Sequence, residues 1–349
     1  MMQSNARFIS GFVLALFTAA CATAPGASSD RSSPIGGGTA STATPASGSG
    51  GESGLSSGAG PSTAADNTAA AQTPAPAGVA APLANNSVKF AVLGDTGTGD
   101  RAQYDVGAQL AAARSVFPYQ FVITVGDNMY GSERPQDYSR KFELPYKAIL
   151  DAKVPFYASL GNHDDPNQRF YKPFNMNGER YYTFKKDNIG HPGVRFYALD
   201  SNYMTTDQLQ WFEKELANSD SPWKVAFFHH PLYSSGGRHG SEIDLRQQLE
   251  PLFVKYGVTV VFQGHEHFYE RLKPQKGVSY FTAGGSAKLR AGDIQKGEMT
   301  AFGFDSDYSY MLVEVDGDTM RFQTLSRAGK RVDSGSIARV TQPKTTTPQ

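Results

Sequence analysis

Between Val88 and His267 the chain repeats one pattern five times: a short apolar run that stops abruptly at glycine or histidine beside a polar side chain. Val88-Lys89-Phe90-Ala91-Val92-Leu93 runs into Gly94-Asp95-Thr96-Gly97, and Phe121–Val125 into Gly126-Asp127-Asn128-Met129-Tyr130. Val154–Leu160 ends in Gly161-Asn162-His163-Asp164, Lys224–Phe228 in His229-His230-Pro231, and Val258–Phe262 leads to Gly264-His265-Glu266-His267. Runs this short and apolar read as buried strands. Helical stretches lie among them at 101–114, 136–151, 207–217 and 243–256, and Val194–Leu199 reads as a further strand. Strand–helix alternation predicts an α/β fold with sheets at its centre. Binding residues in such folds gather at the carboxyl ends of strands, which is where all five motifs fall.

After the fifth motif the helical patterns stop. Residues 278–282, 310–315, 320–325 and 337–340 read as strands, and Asp316-Gly317-Asp318 fits a tight hairpin turn. Residues 286–306, polar and directly behind Gly284-Gly285, read either as a rim over the site or as a featureless loop.

Ahead of Val88 the texture is different. From Ala22 to Ser87 the chain is mostly Ser, Gly, Ala, Thr and Pro, and all 17 Tyr and both Trp come later. Such a segment buries too little apolar surface to offset the entropy of ordering. The expected organisation is a disordered linker over 22–87, one folded domain over 88–342 and a tail over 343–349. Residues 1–21 read as an export signal, with Arg7 ahead of the apolar run Phe8–Ala20. The ending Thr18-Ala19-Ala20-Cys21 resembles a bacterial lipoprotein cleavage site, and Cys21 is the only cysteine. That predicts a lipid anchor at Cys21 and a place in the cell envelope, at the outer membrane or in the periplasm; an ordinary cleaved signal and secretion is the alternative. Lys+Arg and Asp+Glu both total 33, so nothing favours a nucleic-acid partner, and membrane contact is expected only through the anchor.

Taken singly, each motif has a plain explanation, since Gly-Asp and Gly-Asn are ordinary turn and capping residues. Taken together they do not, because six of the seven histidines fall in or next to these strand ends, all but His191 in its surface loop. Clustered nitrogen and oxygen donors are what transition metals require.

The motif order GD, GD, GNH, H, GHxH resembles the calcineurin-like metallophosphoesterases over nearly all of 88–342. Tyr130 three residues after Asp127, His229-x-Pro231, and the run Gly264–Arg271 resemble the purple acid phosphatases within that group. The resemblance implies a metallophosphoesterase sandwich, two central mixed β-sheets flanked by helices. It implies one metal ion at Asp95, Asp127, Tyr130 and His267, and a second at Asp127, Asn162, His229 and His265, with Asp127 shared. Tyrosinate is a hard anionic donor suited to Fe(III); the neutral donors of the second site suit Zn, Mn or Fe(II). Two such cations clamp a phosphate and acidify the water that attacks it, so no protein nucleophile is expected. By the same resemblance His163 protonates the leaving group and His239 faces the phosphate; Asp164, next to His163 in the chain, is expected to orient it. Arg238 either orients the ester or is a solvated loop charge, and His230 is a supporting or structural residue. The expected activity is that of an acid phosphatase on small phosphate monoesters. A phosphodiesterase or nucleotide hydrolase would use the same centre. A surface-tethered binding protein with a retired metal site is a third reading, against which the intact donor set argues.

Overall fold

The computed structural model of the chain describes residues 75–188 and 191–340. The expected export signal, Cys21, most of the linker, the His191 side chain and the tail lie outside the described residues. Among the described residues no helix is long and apolar enough to cross a membrane.

Two sheets form the centre. In the first, β1 (Val88–Leu93), β2 (Phe121–Val125) and β3 (Phe156–Ser159) run parallel, while β11 (Ser309–Asp316), β12 (Thr319–Ser326) and β13 (Arg331–Ala338) extend it antiparallel from β1. The second sheet has seven strands. Its parallel part is β5 (His191–Ala198), β6 (Trp223–Phe227), β7 (Val260–Gln263) and β9 (Ser279–Ala283). Antiparallel strands complete both edges: β4 (Tyr182–Asn188) beside β5, and β8 (Tyr269–Leu272) with β10 (Thr300–Phe304) beside β9.

The layering follows from the two-residue period of a strand. Phe90, Val92, Phe121 and Ile123 point into one core with Phe196, Phe227 and Phe262 of the other sheet. Phe90 and Phe196 meet edge to face, 5.2 Å between ring centroids at 87°, a preferred aromatic geometry. The alternate residues Ala91, Leu93 and Val122 face outward onto Val106 and Leu110 of α1 (Arg101–Ala113). On the far side, Ala226, Phe228 and Val261 are covered by Phe212 and Leu216 of α4 (Thr206–Ala217) and Leu249 and Phe253 of α5 (Ile243–Tyr256). The central strands of both sheets are therefore buried on both faces, and the expected helix–sheet–sheet–helix sandwich is what forms.

Several expectations need correction. The helix expected over 136–151 is broken into α2 (Pro135–Tyr138), a wide turn at Ser139–Glu143 and α3 (Lys147–Asp151). The wide turn carries Lys141 inward, where its Nζ donates to the carbonyl oxygens of Tyr130 and Ser132. Strands β4 and β8 go beyond the sequence reading because charged residues interrupt their apolar pattern, and β10 lies inside 286–306, read above as a rim or loop. Residues 75–87, assigned above to a disordered linker, lie against the first sheet. The Ala80 amide donates to Gln323 Oε1 at 2.8 Å, and those of Leu83 and Ala84 to the Glu314 carboxylate at 3.0 and 2.9 Å. Glu314 is buried on β11, and a buried carboxylate needs donors; a segment without large side chains still offers its backbone N–H groups.

Candidate metal centre

The five motif turns converge at the carboxyl ends of β1, β2, β3, β6 and β7. Three of their polar residues occupy the left-handed region that side-chain-bearing residues rarely adopt: Asp95 (φ 54°), Asp127 (φ 51°) and His265 (φ 70°). Such strain persists only where surroundings enforce it, and it collects at functional sites. Here the Asp95 amide donates to Gly126 O at 3.1 Å, the Thr96 amide to Asp127 O at 3.0 Å, and the His265 amide to Asp95 Oδ2 at 3.0 Å. Gly161 leaves the room that Asp127 needs, since a Cβ there would overlap Asp127 Oδ1.

The expected ligands fall into two touching groups. In the first, Tyr130 Oη lies 3.0 Å from Asp95 Oδ1 and 3.3 Å from His267 Nε2, and His267 Nε2 lies 3.4 Å from Asp95 Oδ1. In the second, Asn162 Oδ1 is 2.9 Å from His229 Nε2 and 3.0 Å from His265 Nδ1, and those two nitrogens are 3.1 Å apart. Asp127 belongs to both: its donor oxygen clusters with those of Asp95 and His267, and its Oδ1 is 3.4 Å from His229 Nε2. His230 joins His229 and His265 within 4.8 Å, while its Nδ1 lies 2.9 Å from Ser201 Oγ.

The donor set fits two metal ions. His229 Nδ1 faces the Val125 carbonyl at 3.0 Å and carries its proton there, so Nε2 presents a lone pair to the amide oxygen of Asn162. Burial holds His229 well below the usual imidazole pKa. Burial, with the neighbouring histidines, takes His265 down to about 2; burial and Arg290 take His267 down to about 3. These rings are neutral donors at any ordinary pH. Burial and the Asp127 charge push Asp95 well above the carboxylate range, and burial with Asp95 and Asp127 pushes the Tyr130 phenol up as well. Crowded buried acids facing neutral lone pairs form a donor set suited to cations.

Of the other expected residues, His163 is exposed; its ring lies 4.8 Å from that of Tyr130 and its amide donates to Asp127 Oδ1 at 3.0 Å. Asp164 does not orient it. The Asp164 carboxylate accepts from the Gly161, Asn128 and Met129 amides at 2.7, 3.1 and 2.9 Å and from the side chains of Asn128 and Gln168, clamping the second motif turn to the third. His239 is exposed, its ring 4.3 Å from that of His265, with Nε2 3.0 Å from Arg290 Nη2. Arg238 is exposed beside it.

Sequence reasoning missed three residues here. Arg290 Nη1 lies 3.0 Å from the fully buried carboxylate of Glu266, the middle residue of His265-Glu266-His267. Lys288 Nζ sits 4.5 Å above the Tyr130 ring. Of the two readings of 286–306, the rim holds for Lys288 and Arg290, and 300–304 is a strand. The only local signal was two basic residues directly behind Gly284-Gly285.

The calcineurin-like phosphoesterase pattern matches residues 88–269, and the chain belongs to that family. Within it the chain is a purple acid phosphatase-like metallophosphoesterase, a phosphoric ester hydrolase with a dinuclear metal centre. It is 22% identical over 306 residues to tartrate-resistant acid phosphatase type 5 of Homo sapiens, covering 74% of this chain and 94% of that one. It is 31% identical over 184 residues to the Fe(3+)-Zn(2+) purple acid phosphatase 12 of Arabidopsis thaliana, 46% of this chain and 39% of that one. Its fold is similar to that of purple acid phosphatase PPD1 from yellow lupin seeds, with a TM-score of 0.60, 20% identity, and 75% of this chain and 57% of that chain covered.

Proposed function

We propose that the chain is an acid phosphatase of small phosphate monoesters, with Fe(III) at the Tyr130 site and Zn, Mn or Fe(II) at the Asn162 site. The observation that carries this reading is the placement of Tyr130 Oη against Asp95 and His267. Only a strongly Lewis-acidic ion brings so disfavoured a phenol to its anion. The likeness to a relative named for Fe(3+) and Zn(2+) supports the same pair. When bound, two such cations neutralise phosphoryl charge and lower the pKa of a coordinated water.

The chain's own residues do the rest. Asp95, Asp127, Tyr130 and His267 hold one ion, and Asp127, Asn162, His229 and His265 the other. Lys288, over the Tyr130 ring, adds positive charge at the mouth, which favours a dianionic terminal phosphate over the monoanionic phosphate of a diester, whereas the Arg290 charge is matched by Glu266. Glu266 and His239 hold the Arg290 guanidinium in place. His163, exposed beside Tyr130, delivers the proton that the leaving oxygen takes up as its bond to phosphorus breaks.

The test is a visible spectrum and a metal determination on one sample. A broad visible absorption that disappears in Tyr130→Phe, with iron and a second metal present, is the expected result. An active, colourless protein with two Zn or Mn per chain overturns the Fe(III) assignment, and faster turnover of diesters than of monoesters overturns the substrate class. We further infer from Arg7, Phe8–Ala20 and Cys21 that the chain is exported and acylated at Cys21. Mass spectrometry of the mature N-terminus decides it: an unmodified terminus elsewhere overturns the anchor.

A further inference from the structure

The loop after β5 builds a second feature beside the metal centre. A cavity of about 290 Å³ opens there, lined by the metal donor Asn162 together with Arg180, Asn202, Tyr203 and His230. That is close to the lower end of small-ligand pockets, about 300 Å³. The loop is tied to the third motif turn, because Asn202 Nδ2 donates to Gly161 O at 3.1 Å and to Asp200 Oδ1 at 3.0 Å. Arg180 Nε donates to Asp200 Oδ2 at 2.6 Å, and Asp200 is buried. The Arg180 guanidinium also lies 4.8 Å from the centre of the Tyr203 ring.

These contacts have two consequences. Tyr203 is 61% exposed and yet its ring is held, with a guanidinium against it. The Arg180 charge is already matched by Asp200, so the cavity places no demand for a second anion. A phosphoester held at the metal pair has Asn162 at the boundary between its phosphoryl group and this cavity.

We propose that the cavity is the subsite for the organic half of the substrate, and that it takes a flat aromatic ring stacked on Tyr203. This rests on the metal-centre reading above. It specifies aryl-type esters rather than aliphatic ones.

The test is calorimetric and needs no turnover. Metal-loaded full-length protein is titrated with phenylphosphonate and with methylphosphonate, which differ in the ring alone. The expected result is that the phenyl compound binds more tightly by about fivefold, the worth of one aromatic contact. Tyr203→Ala should erase that preference and Tyr203→Phe should keep it. Equal affinities in the unaltered protein, or a preference that survives in Tyr203→Ala, overturn the proposal. Binding of methylphosphonate without turnover of any ester overturns the catalytic reading alone, and the subsite is then judged on the ratio. Absence of binding by both compounds overturns the two together.

Discussion

His229 Nδ1 stands 3.0 Å from the carbonyl oxygen of Val125, the last residue of β2. A side chain carried by the second sheet is thereby oriented by a backbone group of the first, with its other nitrogen fixed as a donor. A hydrogen bond of this kind sets both tautomer and ring orientation of a metal-binding histidine. His229→Ala should lower bound metal from two ions per chain to one and reduce phosphatase turnover by at least about 100-fold. Metal analysis beside a turnover assay checks both.

Asp164 and His163 are neighbours in the chain with separable roles. Asp164→Ala leaves three backbone amides without their acceptor. Orphaned buried donors cost about 1–3 kcal/mol each, so a loss of at least about 3 kcal/mol is expected in urea denaturation. His163→Ala, at an exposed ring, should leave the denaturation midpoint in place and lower kcat by roughly 100-fold or more, as for loss of a general acid. The deficit should shrink with better leaving groups, which need less proton assistance.

Much of the metal centre is legible in the order of residues alone. Each expected ligand follows closely on a short, mainly apolar strand, so position along the chain is enough to bring Asp95, Asp127, Asn162, His229, His265 and His267 to one sheet end. What stays hidden depends on contacts between distant segments. Glu266 stands inside a recognised motif, yet its role appears only when Arg290 reaches it from 24 residues away. Asp164 reads as a partner for His163 because the two are adjacent, whereas its carboxylate oxygens are taken by amides of two turns. β8 escapes notice because Glu270 and Arg271 break its apolar run; Glu270 is nonetheless buried, accepting from the Ser235 amide at 3.0 Å. Composition alone makes 75–87 look disordered, since it does not register backbone donors.

Lys288 has its ammonium over Tyr130 and contributes to the site through charge. Lys288→Met keeps most of the side-chain bulk. It should raise KM for a dianionic monoester by roughly tenfold, the scale of one charge-assisted hydrogen bond, with much less effect on a monoanionic diester. Steady-state kinetics on the two substrates gives the comparison, and equal effects would contradict the charge argument.

Chelated, metal-free protein should lose stability as pH falls below about 6.5, the ordinary imidazole value. Five site histidines have folded-state pKa values below that of the free side chain, His265 at about 2 and His267 at about 3 among them. The unfolded chain therefore takes up protons that the folded one refuses, and the stability they contribute is lost from about pH 6.5 down to about 2. Raised carboxyls at Asp95, Asp164 and Glu266 bind protons in the folded state and offset part of this, but three sites do not outweigh five. Thermal melts of the chelated protein from about pH 7 to about pH 4 should show a falling midpoint; restored metal should raise the midpoint most at about pH 7 and lose that gain as pH falls, because binding displaces protons from Asp95 and Tyr130.

The donors are shared between the two layers of the sandwich. Asp95, Asp127, Tyr130 and Asn162 leave the ends of β1, β2 and β3, whereas His229, His265 and His267 leave the ends of β6 and β7. With the ions held as proposed, each would be fastened to both sheets and would act as a rivet at the rim, where the hydrophobic seam between them ends. Prying the sheets apart from that rim requires breaking coordinate bonds before any aromatic contact in the interior is exposed. On that reading, metal supply would set the mechanical toughness and protease resistance of the active-site edge as well as whether the enzyme can turn over.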